Sequence, residues 1–265
     1  MNILLSIVIV EYHSKDEIRQ CISSLQSHLT MPYEIIVSSN SCYSEVDRKD
    51  IEMADTVRWL FNGRNGGFAY AMNQGLKVAK GNYMIIMNSD CTFNQDLDKM
   101  VTFMEQHPNV GAIAPQIRDD ENNIQDTARP YVSLPSFVWR QLKRVLKHEV
   151  SVLNPQMDYT KIQTVDWVIG AFMMVSRKAY QVTGGLDDHF FMYAEDLDWC
   201  TRIRQQGFEV VYYPEVVVTY KGTRRARSHF GYAKIFLASH IAYWKKFGFF
   251  CGYPKRKRIL FDKGE

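Results

Sequence analysis

Apolar residues fall along this chain in two alternating rhythms. Mainly apolar runs at residues 4–10, 34–37, 56–61 and 83–87 have the length of strands buried on both faces, as in a parallel sheet. Between them apolar positions recur at helical spacing. Ser14-Lys15-Asp16-Glu17 fits a capping box that opens a helix whose apolar stripe is Ile18, Cys21, Ile22 and Leu25. Residues 68–79 form another helix, entered from the loop Asn62-Gly63-Arg64-Asn65-Gly66-Gly67 and ended by Gly81. The first ~110 residues thus alternate strand and helix, the pattern of an open α/β sheet.

Beyond Pro115 the rhythm loosens. Residues 118–135 are polar and read as a surface loop, and 136–147 as a short amphipathic helix rich in basic residues. Residues 165–175 read as a strand, 184–194 as a Gly/Asp/aromatic loop, and 195–206 as a helix closed by Gly207. Strands at 210–213 and 216–220 flank Pro214, and a last helix covers 228–247. No internal repeat or convincing linker divides the chain.

Composition narrows the class. With 265 residues, 46% of them apolar and 23% charged, the chain has the balance of a soluble globular protein. A disordered tail protein, a collagen-like repeat and a polytopic membrane protein are excluded. The net charge of +3 says little until it is located. Residues 221–265 hold twelve Lys and Arg against two acids, a local +10, which leaves −7 on the first 220. That asymmetry points to an anionic partner for one end. The first apolar run lacks a basic lead-in, and at about eight residues it falls short of the ~20 that span a bilayer. Five scattered cysteines, none in a C-x-x-C pair, fit neither a disulfide framework nor a zinc site and point to a reducing cytoplasm.

Candidate chemistry gathers where strands end, because open α/β sheets bind ligands beyond the carboxyl ends of their strands. The first strand exits into Glu11-Tyr12-His13, the second into Ser38-Ser39-Asn40-Ser41, and the fourth into Asn88-Ser89-Asp90. None carries G-x-G-x-x-G or a P-loop, so a nicotinamide enzyme or P-loop NTPase is disfavoured. Asp90 beside Asn88 suits a Mg²⁺ or Mn²⁺ that shares its ligands with substrate phosphates, and equally suits a plain turn. Glu195-Asp196-Leu197-Asp198 follows Phe190-Phe191-Met192-Tyr193. It reads either as acids complementing a helix dipole, with Asp198 pairing to Arg202, or as a desolvated general base. Arg224-Arg225-Ala226-Arg227 reads as a phosphate clamp or as a solvated charge run.

In order and spacing, these motifs resemble glycosyltransferase family 2 with a GT-A fold, above all its bacterial rhamnosyltransferase-like members. The resemblance runs from residue 7 to about residue 249. It rests on IVIVEYHS, EIIVSSNS, NGRNGGFAYAMNQG, MIIMNSD, VDWVIGAFMMVSRKAYQVTGGLDDHFFMYAEDLDWCTRIRQQGFEVVYYPEVVVTY and YWKKFG. It implies an open, mostly parallel twisted sheet flanked by helices. Residues 1–220 would form the catalytic domain, 1–115 its nucleotide-binding half and 116–220 its acceptor-binding half, with 221–265 a basic, aromatic helical extension.

The resemblance also implies roles. Glu11, Tyr12, Ser39 and Asn40 would hold the nucleoside, and Asn65, Gly66, Gly67, Asn73, Asn88 and Ser89 the rest of the donor. Asp90 would be the ligand of Mg²⁺ or Mn²⁺ in a D-x-D-type motif, and Asp196 the catalytic base. Gly170, Ala171, Asp187, Glu195 and Trp199 would face the acceptor. Two positions depart from the family: Ser39 replaces a usual acid, and Tyr220 replaces a His that often completes the metal site. Tyr220 would then offer the metal an oxygen, and Arg224 and Arg225 would neutralise diphosphate charge.

The implied activity is inverting transfer of a sugar, rhamnose from dTDP-rhamnose in the first instance. The acceptor would be a lipid-linked glycan in surface polysaccharide (O-antigen) synthesis. A UDP-hexose donor is the variant reading. A sugar-nucleotide-binding or assembly protein that has lost activity is the alternative of a different class. A nucleotidyltransferase would need a Gly-rich basic loop after the first strand, which is missing. No nucleic-acid partner is expected. Lys255-Arg256-Lys257-Arg258 and the aromatic run 243–253 would attach the protein peripherally to an anionic membrane on its cytoplasmic side.

Overall fold

In the computed structural model, which describes residues 3–54, 57–145, 153–154, 157–222, 230–249 and 259–261, the sheet grows outward from the first apolar run. Strands β1 (Leu5–Glu11), β2 (Tyr33–Ser39), β3 (Arg58–Phe61) and β4 (Tyr83–Asn88) lie parallel in the order β3-β2-β1-β4. Helices α1 (Lys15–Gln26), α2 (Glu45–Ala54) and α3 (Phe68–Val78) connect them. There follow β5 (Cys91–Phe93), α4 (Asp98–Gln106), β6 (Val110–Arg118), β7 (Ala128–Arg129) and α5 (Leu134–Val145). Then come β8 (Gln163–Thr164), β9 (Trp167–Val168), β10 (Phe172–Ser176) and α6 (Arg177–Thr183). The described chain closes with α7 (Glu195–Gln205), β11 (Glu209–Tyr220) and α8 (Phe230–Phe247).

Among the described residues the main sheet has nine strands, ordered β3-β2-β1-β4-β10-β6-β11-β5 with β8 also on β11. All but β10, β5 and β8 run in one direction, so the expected mostly parallel sheet is present. Its strands are buried on both faces, which is why they read as mainly apolar runs. Leu5, Ile7 and Ile9 point into a core shared with α1, α2 and α4, while Val8 points into a second core with α3, α6, α7 and α8. Alternation along β2 and β4 splits Ile35 from Ile36 and Ile85 from Ile86 in the same way.

Several features differ from the sequence expectation. Ser14 does precede α1, but its side chain makes no capping bond, and its hydroxyl meets that of Ser89 at 3.1 Å instead. Pro115, which reads as an end, lies inside the central strand β6, opposite Tyr213 next to a register shift in β11. The polar stretch 118–135 is not all surface: Asp126, Thr127 and Ala128 are buried, and β7 pairs with β9. The apolar run 165–175 is two strands broken at Gly170 rather than one. The aromatic run after residue 242 begins in the core, with Tyr243 bonded to Thr201 and the Trp244 indole N–H donating to the Val132 carbonyl.

Candidate active site

Strand register gathers the polar strand ends at one edge. Glu11 lies beside Ser39, Ser39 beside Phe61, and Val10 beside Asn88. Antiparallel β10 begins at the same edge, with Phe172 beside Met87, so the preceding Gly170-Ala171 crosses the end of β4. Tyr220, at the end of β11, stands opposite Cys91 and returns the chain to Asp90.

Glu11 organises the first two strand ends. It is fully buried, and its carboxylate accepts hydrogen bonds from Ser39 Oγ at 2.5 Å and Ser14 N at 2.9 Å. Ser41 Oγ and Tyr43 Oη donate to it as well, each at 3.1 Å. Burial and the Glu11 charge push the Tyr43 phenol up to about 12, so it stays a donor. Glu11 and Ser39 are thus bonded to one another at the strand ends. Tyr12 remains exposed beside them.

The Asn/Gly loop is held from both sides. Asn40 Nδ2 donates to the Gly67 carbonyl at 3.0 Å and to Asn65 Oδ1, which in turn receives Gly67 N. Gly66 lies against the Tyr70 ring. Gly67 has φ +90°, and a Cβ there would sit 2.3 Å from the Phe191 carbonyl oxygen, so only glycine fits. That carbonyl accepts Phe68 N at 2.8 Å, tying the start of α3 to the 184–194 loop. Asn73 completes the tie: its amide donates to the Leu186 carbonyl and to Asp188, and accepts Leu186 N. Expected as a donor-binding group, Asn73 is instead buried and engaged at both ends of its amide, so its part is positional.

Asn88, Asp90 and Tyr220 meet at the edge. Asn88 Nδ2 donates to Tyr220 Oη at 3.0 Å, and Asn88 and Ser89 are both half-buried. Burial, then the Asp90 charge, raise the Tyr220 phenol above its ordinary range. Among the described residues no three His, Cys, Asp or Glu side chains cluster as a metal cage. The donor set fits a hard divalent cation of the kind that takes one carboxylate and completes its shell from substrate phosphates and water.

The Glu195-Asp196 pair sits at the start of α7, behind an unusual turn. Tyr193 and Ala194 both adopt left-handed backbone, φ 70° and 64°, a strain of order 1–3 kcal/mol each that non-glycine residues rarely carry. The turn aims Asp196 at Gly170: Asp196 Oδ2 accepts Gly170 N at 2.9 Å and Oδ1 accepts Leu197 N at 2.8 Å. Burial raises the Asp196 carboxyl above its usual range, against those backbone bonds and the Arg129 charge. Arg129 lies on β7, over the Trp167 ring and paired with Asp126. Sequence reading missed it inside a stretch taken for surface loop, and no motif there singled it out.

Glu195 is 6% exposed, and its Oε2 has no hydrogen-bond partner among the described residues. Burial and the neighbouring Asp196 and Asp198 charges raise it well above the usual carboxylate range. A raised folded value means that protonation stabilises the fold, and that this stability is lost as pH climbs through the raised value. Moving from about pH 8 to about pH 5 is therefore expected to raise the melting temperature of the wild type relative to Glu195→Gln. Thermal melts of both across that range check it, and parallel curves contradict it.

An ion network braces this region. Lys246 Nζ bridges Asp187 Oδ2 at 2.7 Å and Asp198 Oδ1 at 2.6 Å, and Arg202 Nε holds Asp198 Oδ2 at 2.7 Å. Burial opposes ionisation of Asp187, but the Lys246 bond and the His189 N–H and ring overcome it and hold the carboxyl far below its usual range. Asp187 is thus engaged in the brace. Trp199 corrects another expectation: it is fully buried and donates to the Gly184 carbonyl at 2.9 Å, so it cannot touch an acceptor. Ala171 likewise serves by its carbonyl, which accepts Asn88 N at 3.0 Å. Arg224 and Arg225 lie outside the described residues, as do 250–258 with the basic run 255–258.

Comparison with known proteins bears on the family and the fold. The family described as Glycosyl transferase family 2 matches residues 6–184. An N-acetylglucosaminyl-diphospho-decaprenol L-rhamnosyltransferase from Mycobacterium tuberculosis is 24% identical over 92% of this chain and 88% of its own. Rhamnosyltransferase WbbL of Escherichia coli K12 is 23% identical over 86% of this chain and 87% of its own. Two solved structures share the fold at 16% identity. One is GalNAc-T7 with UDP, GalNAc and Mn²⁺ (TM-score 0.62, 82% of this chain, 44% of that one). The other is mannosyltransferase PcManGT from Pyrobaculum calidifontis with GDP-Man and Mn²⁺ (TM-score 0.60, 93% of this chain, 65% of that one).

Proposed function

The chain belongs to glycosyl transferase family 2, and from that premise we propose an inverting transferase that moves a deoxyhexose, rhamnose, from a dTDP donor to a lipid-linked glycan in surface polysaccharide synthesis. The observation that carries the reading is the Gly170-Ala171 dipeptide. Its N–H holds the Asp196 carboxylate, and its carbonyl holds the Asn88 amide at the strand end that leads to Asp90. A carboxylate that would act as base, and a strand end whose Asp90 would hold a divalent cation, are thereby fastened to one dipeptide. This is what a single displacement needs.

In that displacement Asp196 takes the proton of the acceptor hydroxyl, whose oxygen bonds to the anomeric carbon. The bond from that carbon to the diphosphate breaks, and the diphosphate leaves with the electron pair. One base and no enzyme nucleophile give inversion through an oxocarbenium-like state. A Mg²⁺ or Mn²⁺ held by Asp90 and the donor would supply neutralisation of the diphosphate charge. Rhamnosyltransferase relatives support the choice of sugar, and the lipid-diphosphate in the name of the mycobacterial relative supports the acceptor class. Such an acceptor would bring the protein to the cytoplasmic face of an anionic membrane. No described helix is long and apolar enough to cross one.

Thermal melts with dTDP-, UDP- and GDP-sugars, with and without Mn²⁺, test the donor. A dTDP-sugar at about a hundredfold above its Kd is expected to stabilise by about 2.7 kcal/mol. That gain should need Mn²⁺ in the wild type and be lost in Asp90→Ala with or without Mn²⁺. Stabilisation by a UDP-hexose alone would replace the donor. Stabilisation without turnover on any lipid-linked acceptor would favour a binding protein.

A further inference from the structure

Helices α5 and α8 leave their apolar surface unfinished. They pack on each other through Phe137, whose ring lies 5.9 Å from Phe236, 5.3 Å from His240 and 5.2 Å from Trp244. Beside that seam, Val138, Trp139 and Leu142 on α5 are 54%, 57% and 46% exposed. Leu237 and Ile241, one turn apart on α8, are exposed as well, and so is Phe249, whose carbonyl accepts Leu134 N at the start of α5. Six of the twelve large apolar side chains exposed among the described residues thus lie on this helix pair and the residues just after it.

Charge says what would cover them. Neither helix contains an Asp or Glu, while their sequences carry Arg140, Lys143, Arg144, Lys234 and Lys245; Lys246 is already taken by Asp187 and Asp198. Apolar positions interleaved with base and no acid suit the interface of an anionic bilayer, where the basic residues meet headgroups and Trp and Leu enter the acyl boundary. Location agrees. Ser239 of α8 donates to the Met192 carbonyl at 2.8 Å, and Tyr193 packs edge-on to Phe236. The helix pair is therefore fastened to the strained turn that presents Asp196.

We propose that the exposed face of α5 and α8 docks this protein on an anionic lipid bilayer, beside the catalytic turn, so that a membrane-held acceptor meets Asp196 without leaving the lipid. The last clause rests on the lipid-linked acceptor proposed above. The face shares only Lys245 and Phe249 with the aromatic run 243–253 expected from sequence, because Tyr243 and Trp244 are core residues.

Co-sedimentation of the full chain with phosphatidylcholine vesicles, with and without phosphatidylglycerol, tests it. Wild type is expected to bind the anionic vesicles. The pairs Trp139→Gln with Leu142→Gln, and Leu237→Gln with Ile241→Gln, are each expected to weaken partitioning about tenfold or more. Bromolipid quenching of wild-type fluorescence beyond that of Trp139→Phe would support the face even if a double variant failed to fold. Absent wild-type binding, or binding unchanged in both pairs, overturns the proposal. A concentration-dependent dimer abolished by both pairs, without vesicle binding, gives the face to a second copy and overturns it too. Vesicle binding lost in the pairs, with no nucleotide sugar shifting the wild-type melt, upholds the face and sinks the transfer reaction instead.

Discussion

Asp196→Asn is expected to lower kcat for sugar transfer by about a thousandfold while leaving donor affinity nearly intact. A sugar hydroxyl is too weak an acid to attack unaided, and an amide nitrogen cannot take its proton. Asn would keep one acceptor oxygen for Gly170 N or Leu197 N but turn its Nδ2 toward the other, so a stability loss of about 1 kcal/mol should accompany the change. Because burial raises the Asp196 carboxyl, wild-type transfer should also fail on acidification earlier than an ordinary carboxylate would dictate. The base works deprotonated, so the rate rises with pH through that raised value. Single-turnover rates across pH measure both effects. An Asn variant within about tenfold of wild type would remove Asp196 from its role.

Glu11→Ala should do to the fold what Asp196→Asn does to the chemistry. Four donors converge on that buried carboxylate: Ser39 Oγ, Ser41 Oγ, Tyr43 Oη and Ser14 N. Ala would leave the fully buried Ser39 and Ser41 hydroxyls without their acceptor, at a cost of about 4 kcal/mol. For a chain of this size that lowers Tm by roughly 10 °C. A second signature separates it from general damage. The Tyr43 phenol, pushed up to about 12 partly by the Glu11 charge, should titrate lower in the variant. Melting and alkaline absorbance titration check these, and an unchanged Tyr43 titration would show that the carboxylate does not face it.

Both experiments probe residues that the sequence marked, but for reasons it marked only partly. Glu11, Ser39 and Asn88 were legible because each ends an apolar run, and in a parallel sheet such ends must share an edge. That Glu11 is also a hub for four donors was not legible, since sequence shows that a polar group follows a strand but not what already bonds it. Trp199 misled. A tryptophan one turn past a candidate base is equally compatible with the acceptor side and with the core, and its burial against Gly184 decides. Arg129 and the Tyr193-Ala194 turn left no trace, because position beside Asp196 and left-handed backbone carry no residue signature outside glycine and asparagine.

Sequence alone determined the alternating strands and helices of the first half, the acidic body with its basic end, and the family whose motifs run in this order. These follow from periodicity and from local charge, which are properties of neighbours along the chain. Tertiary structure alone decided that β10 enters antiparallel between β4 and β6, that Gly170 thereby binds Asp196, and that Tyr220 returns to Asn88. It also decided that α5 and α8 join with their apolar sides half uncovered. Each of these joins residues that are far apart in sequence. Such contacts are settled by how layers bury their faces together, and no single segment's pattern contains that outcome.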